Sequence, residues 1–146
     1  MLPDTKKFTF AILAAVMLIS IVGCKKDLAE KGKAEILTNG SWRLTGHTFY
    51  SITNTVDIYA TYAPCEKDNI FHFNNNGTLD IEEGASKCDS TDPQSYSVGW
   101  QFLDNRQSRM VIDGTEFIAT ITDNEFQLST PYHDPYEDHT VMTYTR

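Results

Sequence analysis

Apolar and polar residues alternate with a period of two from residue 41 to the end of the chain, and turn sequences interrupt the pattern. This alternation is typical of antiparallel β-strands that bury one face. Asn76-Gly77 and Asp113-Gly114 are strong hairpin signals, because both residue types tolerate positive φ. The pattern predicts eight strands, which run approximately over Ser41–Ser51, Asn69–Asn74, Thr78–Glu83, Ser95–Leu103, Arg109–Asp113, Thr115–Thr122, Glu125–Thr130 and Thr140–Arg146.

Each predicted strand has one apolar face, for example Phe71/Phe73 or Phe117/Ala119/Ile121. The only predicted helix is a short turn near residues 34–37, which cannot cover a sheet. We therefore expect an all-β fold in which the sheet closes on itself as an eight-stranded antiparallel up-and-down barrel. The interior of such a barrel is filled by side chains or holds one small ligand.

The amino-terminal segment has the organisation of a secretory signal peptide. Lys6 and Lys7 precede an apolar run over residues 8–22, which is short of the roughly 20 residues a membrane-spanning helix needs. The ending Ile-Val-Gly-Cys24 resembles the lipobox of bacterial lipoproteins. That resemblance implies that Cys24 is lipidated and that the mature chain is an outer-membrane lipoprotein of the cell envelope. The alternative is a retained membrane anchor.

The expected domain organisation follows from this cleavage site. Residues 1–23 form the signal peptide, residues 24–35 a charged tether, and residues 36–146 one β-barrel domain. The mature chain of roughly 120 residues is long enough to bury one modest core.

Composition and cysteine usage narrow the classes of partner. The net charge of −8 argues against nucleic acid as a target.

Cys65 and Cys88 form an even pair in an exported domain, so we expect a disulfide between them. A two-cysteine metal site is the weaker alternative, because the CxxC spacing is absent.

Gly40-Ser41-Trp42 opens the first predicted strand, as the G-x-W motif opens the first strand of lipocalins. A cysteine precedes the Asp68–Thr78 hairpin, a second cysteine follows, and then comes the aromatic Gly99–Phe102 strand. Residues 36–146 thus resemble the lipocalin-like domains of Bacteroidetes lipoproteins. The resemblance implies a small barrel with no catalytic residues, and an Arg146 side chain that stacks on Trp42.

Motifs of catalysis and of cofactor binding are missing from the sequence. A G-x-S-x-G elbow, a placed carboxylate pair and a glycine-rich phosphate loop are all absent. We expect no enzyme activity and no cofactor. The His133–His139 stretch is rich in carboxylates and imidazoles, but an exposed acidic loop is a better interpretation than a metal site. His47 and His72 are expected on the surface.

Five aromatic residues are the candidates for ligand binding. Tyr50, Tyr59 and Tyr62 are expected at the rim of the open end, and Tyr96 and Trp100 on the inward face of their strand. The expected function is capture of a small apolar or amphipathic ligand by a membrane-anchored, non-catalytic protein. The alternative is an accessory module for envelope or polysaccharide uptake that binds a protein or glycan through its outer surface.

Overall fold

The computed structural model of the protein describes residues 32–134 and 137–146. The predicted signal peptide and Cys24 lie outside the described residues. Helix α1 matches the predicted helical turn and overlaps the last residues of the predicted tether. The elements in chain order are α1 (Lys33–Thr38), β1 (Arg43–Tyr50), β2 (Thr55–Asp57), a 3₁₀ turn (Tyr59–Thr61), α2 (Pro64–Lys67), β3 (Ile70–Phe73), β4 (Thr78–Glu82), β5 (Ser95–Phe102), β6 (Arg109–Ile112), β7 (Thr115–Ile121), β8 (Glu125–Ser129) and β9 (His139–Thr145).

The nine strands of the described residues form one antiparallel sheet in the order β2-β1-β9-β8-β7-β6-β5-β4-β3. From β3 to β9 each strand pairs with the next one along the chain, as the short turns predict. At the β6–β7 hairpin, Asp113 and Gly114 have φ angles of 48° and 77°. Two successive residues with positive φ are what a tight hairpin turn of the favoured hand requires. The predicted all-β class is confirmed.

The predicted eight-stranded closed barrel is wrong on both counts, because a ninth strand is present and the sheet is open. The additional strand, β2, pairs with the end of β1 through Thr48↔Asp57 and Tyr50↔Thr55. The other edge of β1 is occupied by β9, so β2 takes the last three residues of the edge along which β3 would have to pair. Three residues are too few to show a period-two pattern, which is why the sequence did not predict β2.

The two sides of the sheet nevertheless meet at one point. Trp42 and Phe71 exchange two backbone hydrogen bonds of 2.9 Å each. Within the described residues this isolated bridge is the whole β-pairing between the start of β1 and strand β3. The sheet is therefore curled around an interior, although no continuous ladder closes it.

The inner face of the curled sheet carries the core. Trp42 and Leu37 are fully buried, and the indole Nε1 of Trp42 donates a hydrogen bond of 2.9 Å to the Leu37 carbonyl. Helix α1 thus covers one end of the interior. The buried apolar residues are Ile36, Leu37, Trp42, Leu44, Phe73, Leu79, Trp100, Met110, Ala119, Ile121, Phe126, Leu128 and Tyr144.

Candidate functional site

An apolar cavity of about 190 Å³ lies against the inner face of the sheet. An apolar cavity of about 150 Å³ is known to accommodate a benzene molecule. This interior therefore has room for one small ring or a short aliphatic chain. None of its lining residues is charged. They are Phe71, Phe73, Leu79, Ile81, Ile112, Thr115, Phe117, Leu128, Met142 and Tyr144.

The cavity has a buried floor and a more exposed rim. Phe73, Leu79 and Leu128 are at most 3% exposed, so the floor belongs to the rigid core. The rim consists of half-buried apolar side chains that pack against this core. They are Phe71, Ile81, Ile112, Phe117 and Met142. A cavity between a buried floor and a half-buried rim is accessible from solvent.

Tyr144 supplies a buried polar group in the cavity wall. Its ring stacks on Phe126 with centroids 4.4 Å apart, and the residue is only 7% exposed. The hydroxyl donates to the thioether Sδ of Met142 at 3.7 Å. Because a thioether is a weak acceptor, this donor is poorly satisfied.

The surroundings of Tyr144 keep its hydroxyl protonated. Burial raises the pKa of Tyr144 far above its usual value, and the nearby hydroxyls of Tyr62 and Tyr96 raise it further. The group is therefore a neutral hydrogen-bond donor at every physiological pH.

A β-bulge in β1 turns His47 toward the interior. The register with β9 shifts between Leu44 and Gly46, so that His47 pairs with Met142, which lines the cavity. His47 Nδ1 lies 2.6 Å from the Tyr62 hydroxyl. The prediction that His47 lies on the surface is therefore wrong, because a bulge adds one residue and reverses the alternation beyond it.

Burial favours the neutral forms of both members of the His47–Tyr62 pair. Burial lowers the pKa of the His47 imidazole. Burial raises the pKa of Tyr62, and the Glu66 carboxylate raises it further. The polar groups beside the cavity can thus exchange hydrogen bonds with a ligand, but they offer no positive charge.

The five aromatic residues predicted to bind ligand lie outside the set that lines the cavity. Trp100 belongs to the core, where its Nε1 donates to the carbonyls of Asn74 and Thr78 at 3.2 and 3.1 Å. Tyr50 is 38% exposed and stacks on His139 with centroids 5.1 Å apart. Both side chains therefore have contacts away from the cavity.

The other three predicted residues lie nearer. Tyr59 and Tyr62 pack against the core from the connection between β1 and β3, with ring centroids 6.0 Å apart. Tyr96 pairs with Ile81, a rim residue, and is 49% exposed. Tyr62, through His47, and Tyr96, through Ile81, thus lie beside the cavity without lining it, and Tyr59 packs against the core.

The predicted disulfide is present between Cys65 and Cys88, whose Cα atoms are 5.2 Å apart. Cys65 lies in α2, and Cys88 lies in the loop between β4 and β5. The bond ties the connection that carries Tyr59 and Tyr62 to this second loop. It therefore restrains the segment that carries Tyr59 and Tyr62.

The alternating pattern predicts that the lining residues other than Thr115 lie on the apolar faces of their strands. A wall and a packed core both consist of apolar side chains at every second position, so alternation does not distinguish them. The inward turn of His47 did have a signal, because an isolated glycine such as Gly46 within a strand often marks a bulge.

The acidic loop before β9 shows local pairing. His133 Nδ1 lies 3.8 Å from a Glu137 carboxylate oxygen, and His139 Nδ1 lies 2.8 Å from the Glu137 carbonyl oxygen. The described part of this loop, like the rest of residues 32–134 and 137–146, contains no group of three or more His, Cys, Asp or Glu that could hold a metal ion.

No protein-family model matches this chain, and no curated protein matches its sequence significantly. None of the helices in residues 32–134 and 137–146 has the length and apolar character needed to cross a bilayer.

Proposed function

We propose that this chain is a non-catalytic binding protein that captures a small apolar or amphipathic molecule in the inner cavity. The observation that carries the proposal is the uncharged, largely apolar cavity of about 190 Å³ with a half-buried rim. Ligand sites of proteins are concave and mostly apolar, with a few polar groups that orient the ligand. The hydroxyls of Tyr144 and Thr115 are the polar side-chain groups of the lining, and the His47–Tyr62 pair lies beside it.

The proposal includes attachment to the bacterial envelope through a lipid on Cys24, with the domain held at the outer membrane. Its support is the lipobox-like sequence that ends at Cys24. Intact-mass analysis of detergent-extracted protein should give an acylated mature chain that begins at Cys24. A mature amino terminus at another residue would contradict the anchor and leave the cavity proposal untouched.

We also propose kinship with the lipocalin-like domains of Bacteroidetes lipoproteins. The all-β sheet and the packing of Arg146 against Trp42 support it. The open sheet and the additional β2 strand are departures from the simple eight-stranded barrel of that family.

Ligand capture can be tested with two variants of strand β6. One places a larger side chain in the cavity, and the other places it on the outer face of the sheet. Ile112 lines the cavity, whereas its neighbour Val111 lines a groove on the outer face. Titration with toluene, followed by amide chemical shifts, should perturb β3, β6 and β9 in the wild type and in Val111→Phe. Ile112→Phe should abolish the response. Absence of saturable binding in the wild type, or binding that survives Ile112→Phe, would reject the cavity as the site.

An open groove of about 780 Å³ on the outer face supports a second candidate function, in which the chain docks a glycan or protein. The Asn75, Asn76 and Gln101 amides line the groove, and a Cβ at Gly99 would meet open space. Amide side chains can hydrogen-bond to sugar hydroxyls. A glycan array should then show binding that Val111→Phe removes and Ile112→Phe preserves. Failure of every glycan to bind would leave this candidate without support.

A further inference from the structure

We propose that the Tyr144 hydroxyl selects the ligand, so that the cavity takes a small uncharged molecule with one hydrogen-bond acceptor, such as a ketone or ester carbonyl, and rejects the corresponding carboxylate. This inference rests on the proposed function, because it requires a ligand in the inner cavity. It adds the chemical class of the ligand and the residue that recognises it.

The Tyr144 hydroxyl is a buried donor with a weak acceptor. Tyr144 is one of the ten lining residues and is 7% exposed, so its hydroxyl has little access to water. Its hydrogen-bond partner among the described residues is the Met142 sulfur at 3.7 Å. A carbonyl oxygen is a much better acceptor than a thioether. A ligand that places a carbonyl in the cavity therefore satisfies a buried donor that the protein itself leaves weakly bonded.

The residues that line the cavity carry no positive charge. The ten lining residues include no Lys, Arg or His. The basic side chain that the bulge brings nearest is His47, which pairs with Met142 and contacts the Tyr62 hydroxyl. Its neutral form is favoured by burial. A carboxylate in this interior would lose its hydration without gaining a cation, and that desolvation is costly.

The size and the aromatic walls of the cavity favour a small flat ligand. The volume of about 190 Å³ fits one ring with a short substituent. Aromatic side chains form part of its wall, with Phe71 and Tyr144 in an edge-to-face contact at 5.2 Å. Aromatic walls favour a flat ring, which can pack against them in offset or edge-to-face geometry.

Three probes of matched shape test the proposal: ethylbenzene, acetophenone and benzoate. Acetophenone has a carbonyl where ethylbenzene has a methylene, and benzoate carries a carboxylate on the same ring. Calorimetric titration of the wild type should show acetophenone binding roughly threefold to tenfold more tightly than ethylbenzene, as one hydrogen bond provides. Benzoate should bind more weakly than both probes.

Two conservative variants test whether the Tyr144 hydroxyl causes the preference for acetophenone. Tyr144→Phe removes one oxygen, so it should abolish the preference for acetophenone while ethylbenzene still binds. Tyr50→Phe removes a hydroxyl on the outward-facing Tyr50 and should keep the preference. Far-ultraviolet circular dichroism and melting temperature would verify that both variants fold.

The outcomes separate this inference from the proposed function. Equal binding of ethylbenzene and acetophenone, or a preference that survives Tyr144→Phe, overturns the inference while ligand capture stands. Tightest binding by benzoate overturns the exclusion of anions. Failure of all three probes to bind would reject capture in the cavity itself, and the inference would fall with it.

Discussion

The guanidinium of Arg146, the last residue of the chain, lies over the indole of Trp42, 4.4 Å from the ring centroid. The same side chain donates a hydrogen bond to the Ile36 carbonyl at the end of α1. Trp42 is fully buried. The end of the chain thus joins the helix to the start of β1, and the predicted stacking of Arg146 on Trp42 is confirmed.

We expect Trp42→Ala to lower the free energy of unfolding by about 3–5 kcal/mol, as large-to-small changes in a core do. The ring also packs edge-to-face on Phe126 at 4.9 Å and bonds to the Leu37 carbonyl, so several contacts are lost together. Denaturant melts of the variant and the wild type measure the loss.

Arg146→Ala should cost less, because a cation–π contact contributes roughly 0.5–2 kcal/mol. The two losses should be non-additive, since both residues share one contact. A double-mutant cycle with Trp42→Ala, Arg146→Ala and the double variant measures this coupling. Strict additivity would show that the stacking contributes nothing.

Stability should fall as the pH drops below about 6.5, because the folded protein lowers the pKa of His47 from its unfolded value of 6.5. In the range between the folded and unfolded pKa values, the unfolded chain binds more protons. Neutral His47 therefore contributes fully to the stability at a pH above its unfolded pKa. This contribution is lost as the pH falls toward its folded pKa. Urea melts between about pH 8 and pH 5 measure the slope.

His47→Gln should flatten this slope, whereas His72→Gln should keep it. His72 is the matched control because it lies opposite Asp80 in the β3–β4 ladder and its side chain is 36% exposed. Hydrogen bonds from Ser97 and Asn74 lower the pKa of Asp80 from its usual value of 3.8. Asp80 therefore changes the stability only at a pH near or below 3.8. A slope between pH 8 and 5 that persists in His47→Gln would assign it to another group.

Removal of the disulfide by Cys65→Ser and Cys88→Ser together should destabilise the domain by about 3 kcal/mol, because the bond closes a loop over a sequence separation of 23. Amide hydrogen exchange should also accelerate around Tyr59 and Tyr62, since their connection is no longer tied to the β4–β5 loop. Exchange rates of the helix α1 amides serve as the internal reference. Unchanged exchange at the tyrosines would show that core packing alone holds them.

Gly84→Ala should destabilise the fold by about 1–3 kcal/mol, as overpacking does. A Cβ at Gly84 would clash with the carboxyl carbon and the carbonyl oxygen of Asp68. That carboxylate accepts hydrogen bonds of 3.0 and 2.9 Å from the Ser86 amide and hydroxyl. Gly99→Ala is the control, because a Cβ there meets nothing within 4 Å. Equal melting temperatures for the two variants would contradict the steric argument.

The sequence alone determined the strands that have a full period-two pattern, the hairpin at Asp113-Gly114 and the pairing of Cys65 with Cys88. These features depend on local alternation, on turn residues and on cysteine number, which are properties of short segments or of composition. The single apolar face of each strand also determined that the sheet curls around a core that includes Phe73 and Leu128.

Only the tertiary structure decided whether that sheet closes and which residues face a cavity. The three-residue β2 strand occupies the edge of β1, and the bulge at Gly46 reverses the direction of His47. The position of β2 and the bulge both depend on which strands lie beside β1. The alternation of apolar and polar residues within β1 does not show which strands these are. The cavity that Phe71 and Tyr144 help to line exists because the sheet encloses more volume than the side chains fill. That difference is a property of the assembled sheet.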